Sequence, residues 1–197
     1  SSLNLFAKDF TNRNLFGFEA PFEWLQVVNS FFVVALAPVF AWLWTALAAR
    51  GSSPSSPAKF SAGLFFAGLG FLIMVPPVRA VVASNGVLKV SMLWLTMSYI
   101  LQTFGELSLS PVGLSSMTKL APEKFSGQMM GVWFLAASLG NLIAGIVGGD
   151  VDPEKLEAMT PLFVRTTASL FIAAIVLAFM VKPISKMMKN SSAAAGH

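Results

Sequence analysis

Glu106 stands alone as an ionisable side chain in a long apolar stretch, within Gln102–Pro111 (QTFGELSLSP). If that stretch crosses a membrane, a carboxyl there is costly and by default faces a cavity or a partner. The competing chemistry is structural: a protonated carboxyl hydrogen-bonded between helices. Ser110 lies four residues on and Gln102 four residues back, so a helix would place all three on one stripe. Pro111 cannot donate to the Leu107 carbonyl and its ring crowds that carbonyl, which predicts a loosened turn. A polar stripe beside such a turn is one way helices line a site at the midplane.

Gln26 and Asn29, in Trp24–Ser30 (WLQVVNS), are three apart and therefore neighbours on a helix surface. An amide donates and accepts at once, which suits a peptide-like group. The same side chains equally suit hydrogen bonds between helices. Trp133 lies less than two turns inside its own apolar stretch, and on pattern it reads as an interfacial anchor. Ala136, Gly140, Ala144 and Gly148 recur every four residues, a stripe that lets another helix approach closely. Asn141 beside it is open between packing and function. Pro38, Pro76 and Pro77 predict kinks, and Arg165 predicts a snorkelling side chain.

The elements that must hold these residues follow from composition. Of 197 residues, 55% are apolar and 11% are charged, against about 25% charged in a soluble domain. That excludes an ordinary soluble protein, and it excludes disorder, which needs low hydrophobicity. There is no Cys, and the single histidine is His197. A disulfide scaffold, a Cys or multi-His metal site and a histidine-based triad are therefore excluded. No phosphate-binding loop or dinucleotide fingerprint occurs, so no catalytic residue, metal or cofactor is predicted. The net charge is +4, but the basic residues are scattered between apolar runs and form no stripe for nucleic acid.

A bilayer core about 30 Å thick needs roughly 20 mostly apolar residues per helix. Five stretches qualify, at about 21–49, 59–83, 90–117, 127–148 and 160–181. They are too long and too uniformly apolar for spanning strands. Polar turns separate them, among them Arg50–Pro57 (RGSSPSSP) and Ser84–Gly86 (SNG). Residues 1–7 read as the end of a sixth helix, 8–20 as an extracytoplasmic loop, 21–183 as the transmembrane bundle and 184–197 as a cytoplasmic tail. The chain thus reads as a fragment of a longer all-α integral membrane protein. Seven basic residues (Arg50, Lys59, Lys119, Lys124, Lys182, Lys186 and Lys189) fall on one side, and five (Lys8, Arg13, Arg79, Lys89 and Lys155) on the other. The excess places the C-terminus in the cytoplasm.

Three strings carry a family resemblance: Gly105–Pro122 (GELSLSPVGLSSMTKLAP), Gly127–Leu135 (GQMMGVWFL) and Gly140–Gly145 (GNLIAG). Together they closely resemble the proton-dependent oligopeptide transporter family, a branch of the major facilitator superfamily. Gln26–Asn29 and Ala37–Trp44 look like that family's eighth helix, and Lys59–Gly63 like the start of its ninth. The resemblance implies the C-terminal bundle of the superfamily fold, with five full helices and the end of a sixth. It implies a multi-pass protein of a bacterial inner membrane that carries di- and tripeptides with protons as coupling ion and without a cofactor. It implies partners in the lipid bilayer and in an N-terminal helix bundle. Glu106 then looks like the carboxylate that pairs with the peptide amino terminus, and Asn29 like a contact to the same end. Ser110 and Trp133 resemble pocket-lining positions, with Gln26 beside Asn29. The competing readings are a family member for another small solute (nitrate or a peptidomimetic), a non-transporting scaffold subunit, and a membrane enzyme. The enzyme reading lacks a visible acid–base pair.

Overall fold

A computed structural model describes residues 2–12, 14, 15, 18, 19, 21, 23–51, 53–120, 123–149 and 156–194. In chain order α1 (Ser2–Asp9) is followed by two-residue strands β1 (Thr11–Asn12), β2 (Asn14–Leu15) and β3 (Phe18–Glu19), then α2 (Glu23–Ala49), α3 (Ser56–Leu72) and α4 (Val75–Ala83). Next come β4 (Val90–Ser91), α5 (Met92–Leu120), a 3-10 turn (Glu123–Phe125), α6 (Ser126–Gly149) and α7 (Leu156–Ala194). Among the described residues four segments are apolar and long enough to cross a membrane: Val27–Ala49, Ser56–Ala83, Ser126–Ile146 and Leu156–Lys186. The fifth long helix, α5, matches them in length but carries Gln102, Thr103, Glu106, Ser108 and Ser110 through its centre.

The predicted second span is two helices. Pro76 and Pro77 have no N–H for the carbonyls one turn back, so α3 stops at Leu72 and α4 restarts with both prolines in its first turn. Its far end closes with Gly86 N–H donating to the Val81 carbonyl at 2.9 Å and Asn85 N–H to Val82 at 3.0 Å. This is a Schellman pattern with both residues at positive φ, 51° and 80°. Pro38 and Pro111, by contrast, lie inside helices that run on. The loosened turn predicted before Pro111 does not interrupt α5. Helix α7 runs on past the predicted span at about 160–181, through Pro183, to Ala194.

Helix α3 sits between α5 and α7, while α2 and α6 pack on α5. Small residues make this possible. A Cβ added at Gly105 would lie 2.7 Å from the Gly63 carbonyl oxygen, and one at Gly70 3.0 Å from the Ser98 carbonyl oxygen. Ser98 donates its hydroxyl to the Gly70 carbonyl at 2.7 Å, and Ser61 to the Ala174 carbonyl of α7 at 2.8 Å. On the other side of α3, Gly68 lies against the Phe171 ring. The stripe predicted for close packing behaves differently: Ala136, Gly140 and Ala144 are exposed, and a Cβ at Gly140 would meet nothing within 4 Å. Among the described residues no helix occupies it, and Leu135, Leu139, Leu142 and Ile146 make the surroundings apolar and exposed; the packing of Gly148, last in that stripe, lies outside the described residues.

The apolar core lies at the α1 end. Leu3, Phe6, Ala7 and Phe10 pack with Val78, Leu95, Tyr99, Met159 and Phe163. The segment predicted as a plain loop adds a strap there: β1 pairs in parallel with β4, Thr11 opposite Val90, and β2 pairs antiparallel with β3.

Candidate functional site

The site is built on one face of α5. At 100° per residue Thr103, Glu106, Ser110 and Gly113 fall within a narrow arc. The neighbouring face, with Ser98, Gln102 and Gly105, is spent on α3. Gln102 donates from Nε2 to Ser98 Oγ at 3.0 Å, and its Cγ lies 2.9 Å from where a Gly70 Cβ would stand. Gln102 therefore belongs to helix packing, not to the Glu106 stripe that the sequence predicted. The backbone contact at Gly105 fixes how far Glu106, the next residue, stands from α3.

Glu106 and Ser110 are both exposed on the open side of α5, one turn apart. Asn29, half-buried on α2, meets Thr103 instead. The Thr103 hydroxyl lies 2.9 Å from Asn29 Oδ1 and 2.8 Å from the Tyr99 carbonyl oxygen. One hydroxyl proton serves one acceptor at a time. Thr103 serves as a donor to the Asn29 amide oxygen across the two helices. Thr103 and Glu106 are three apart on α5, so the Asn29–Thr103 contact lies one turn from the Glu106 position. The side chain of Gln26, predicted beside Asn29, lies outside the described residues, as does all of Pro122 in the first family string.

Trp133 closes the far end of the stripe. Its six-membered ring covers Gly113 so closely that a Cβ there would overlap Cη2 and Cζ3. The indole is edge-on to Phe60 of α3, centroids 6.1 Å apart at 86°. It is half-buried, held against Gly113 of α5 and Phe60 of α3. Gly113 is seven residues beyond Glu106, about 10 Å along the helix at ~1.5 Å per residue. Behind the indole lies an apolar cavity of about 160 Å³, lined by Pro57, Phe60, Gly113, Met117, Leu177 and Ile184. No charged side chain lines it, so it is no seat for a charged end group.

Sequence reasoning missed Thr103 and Gly113. A Thr inside a helix is unremarkable until its partner on α2 is known. Gly113 carried a weak signal, as a glycine in the middle of a helix costs roughly 1 kcal/mol against Ala and asks for a packing reason.

The geometry defines a polytopic helical membrane protein with an acidic, amide-flanked stripe on an open face between apolar helices. The POT family model matches residues 1–160, and the chain belongs to that family. It is 48% identical over 191 residues to the peptide transporter YePEPT of Yersinia enterocolitica, which covers 97% of this chain and 37% of that protein. A di-/tripeptide transporter of Lactococcus lactis subsp. cremoris is 38% identical over 180 residues, covering 90% and 34%. A crystal structure of a mutant peptide transporter POT with alafosfalin superposes with TM-score 0.83 at 36% identity, covering 95% of this chain and 37% of that one. A POT family transporter with 5-aminolevulinic acid gives TM-score 0.78 at 27% identity, covering 93% and 37%. The fold is thus an all-α membrane bundle of the major facilitator type. The chain spans a little over a third of the length of these relatives.

Proposed function

We propose that this chain forms most of the C-terminal half of a proton-coupled symporter of di- and tripeptides. The observation that carries the reading is the placement of the Glu106 carboxylate one turn from the Asn29–Thr103 contact, on a face that Trp133 closes. A peptide presents an ammonium group and an amide at its amino end. Glu106 offers the counter-charge, in a bond stronger than a neutral one, and Asn29 and Ser110 offer neutral partners for the adjacent amide. Gln26, three residues before Asn29, joins this reading on its spacing alone. Protons serve as coupling ion and no cofactor is called for. An N-terminal bundle supplies the opposite wall, and alternating access is rocking of one bundle against the other about the midplane site. Nitrate fits poorly, since a carboxylate on the open face repels an anion. A scaffold subunit has no use for a charge that is costly inside a membrane.

The test is uptake of labelled dialanine into liposomes holding the full-length protein under an inward proton gradient. Saturable, gradient-dependent accumulation is expected. Accumulation of nitrate instead, or of neither solute, overturns the reading.

Two further results are expected. The proposed orientation puts the C-terminus in the cytoplasm of a bacterial inner membrane. The sequence given has no Cys, so single-cysteine variants report cleanly. Ser53→Cys and Lys124→Cys should react with a membrane-impermeant reagent from the cytoplasmic side, and Asn85→Cys from the other. Labelling of Ser53→Cys and Asn85→Cys from the same side would contradict the topology. Gly113→Ala should displace the indole and raise KM for dialanine about tenfold, in line with overpacking costs of about 1–3 kcal/mol. Adding Trp133→Phe makes room for the new methyl and should recover much of the loss; a double variant no better than Gly113→Ala counts against the steric account.

A further inference from the structure

The outward face of α7 is built to a plan that transport does not use. Its inward stripe is Met159, Phe163, Thr167 and Ala174, all buried. On the opposite side Ile172, Ile175, Val176 and Phe179 are exposed and apolar, Phe179 to 80%. At 100° per residue the same arc takes in Arg165 before them and Lys182 and Lys186 after them, and all three are exposed. Arg165 and Lys182 are 17 residues apart, about 26 Å along the helix, and Lys186 is about 32 Å away at ~1.5 Å per residue. The cations therefore bracket an apolar stripe that matches a hydrocarbon core of about 30 Å. No Asp or Glu follows Glu157 in the sequence. Neighbouring elements at the Lys182 end add Lys59 on α3 and Lys124, exposed, in the 3-10 turn.

We propose that Lys182 and Lys186 form a binding surface for anionic phospholipid. The headgroup phosphate is held between the two ammonium groups, and the acyl chains lie along Phe179, Val176 and Ile172. Charge complementarity favours an anionic lipid over a zwitterionic one, whose own cation would meet these lysines. Continuity with the apolar stripe favours a lipid over free phosphate, which gains nothing from Phe179. The proposal goes beyond peptide transport and depends neither on the solute carried nor on which side the C-terminus lies.

The test is lipid retention on the purified full-length protein, by native mass spectrometry, without peptide or gradient. Dioleoyl-phosphatidylglycerol should be retained well above dioleoyl-phosphatidylcholine. Lys182→Gln with Lys186→Gln should cut phosphatidylglycerol retention about 30-fold, since each basic residue near an anionic surface contributes on the order of a fivefold gain. Lys182→Arg with Lys186→Arg keeps the charge and should keep the lipid; Lys124→Gln, one charge on a neighbouring element, should cost at most about fivefold. Equal retention of both lipids, undiminished retention in the double Gln variant, or loss equal to it in Lys124→Gln overturns the proposal. So does displacement of the phosphatidylglycerol by inorganic phosphate at equal concentration, which would mark a bare phosphate site.

Discussion

Glu106→Gln in the full-length transporter is expected to lower dipeptide uptake by at least about 30-fold while leaving the thermal unfolding midpoint unchanged. The magnitude follows from charge pairing. Removing one member of a desolvated, hydrogen-bonded charge pair costs about 2–5 kcal/mol, and ~1.4 kcal/mol is tenfold in affinity. Gln keeps the length and an acceptor oxygen, so the loss isolates the negative charge. The midpoint should hold because Glu106 is exposed on α5, and the α3-facing contacts are made by Ser98 and by the Gly105 backbone. An N-acetylated dipeptide has no ammonium group, so the proposed pairing predicts weak uptake of it by both proteins alike. Uptake of dialanine within about threefold of the parent would remove Glu106 from the amino-end contact, since a charge pair of that cost cannot be lost so cheaply.

Glu106 stood out in the sequence because a lone carboxyl in an apolar helix has few bland explanations. Asn29 carried two open readings, and the structure shows the packing one: its amide bonds between helices, to Thr103. What could not be read was which helix meets which. Four-residue spacing of small side chains says that a face is approachable, not what approaches it. That is why the regular stripe of Ala136, Gly140 and Ala144 attracted attention, while the working contacts lie at the less regular Gly63, Gly70 and Gly105. Gln102 and Glu106 illustrate the same limit. They share a stripe by spacing, yet the small rotation between them places one against α3 and the other on the open side. The β1–β4 pair was illegible for a different reason, because two-residue strands carry too little alternation to register.

Gly105→Val, unlike Glu106→Gln, should cost stability and uptake together. The Cβ position at Gly105 lies 2.7 Å from the Gly63 carbonyl oxygen, 3.2 Å from Ala67 N and 3.3 Å from Ala67 Cβ. Two of these three neighbours are backbone, which cannot rotate aside as a side-chain tip can. The view from α3 is the same, since a Cβ at Gly63 would lie 2.9 Å from the Gly105 carbonyl oxygen. A branched side chain therefore has to push the helices apart. Separation lengthens the 2.7 Å hydrogen bond from Ser98 to the Gly70 carbonyl and shifts Glu106, together with α2 packed on α5, relative to α3. Overpacking of this kind costs about 1–3 kcal/mol or more. In a bundle of this size that corresponds to a midpoint lower by roughly 5–10 °C, and dipeptide uptake should fall with it. Gly105→Ala should show a smaller loss in the same direction, since even one methyl has no free space. A Gly105→Val protein with the parent's midpoint would mean that α3 and α5 do not touch through Gly63 and Gly105, and the placement of Glu106 would lose its structural footing.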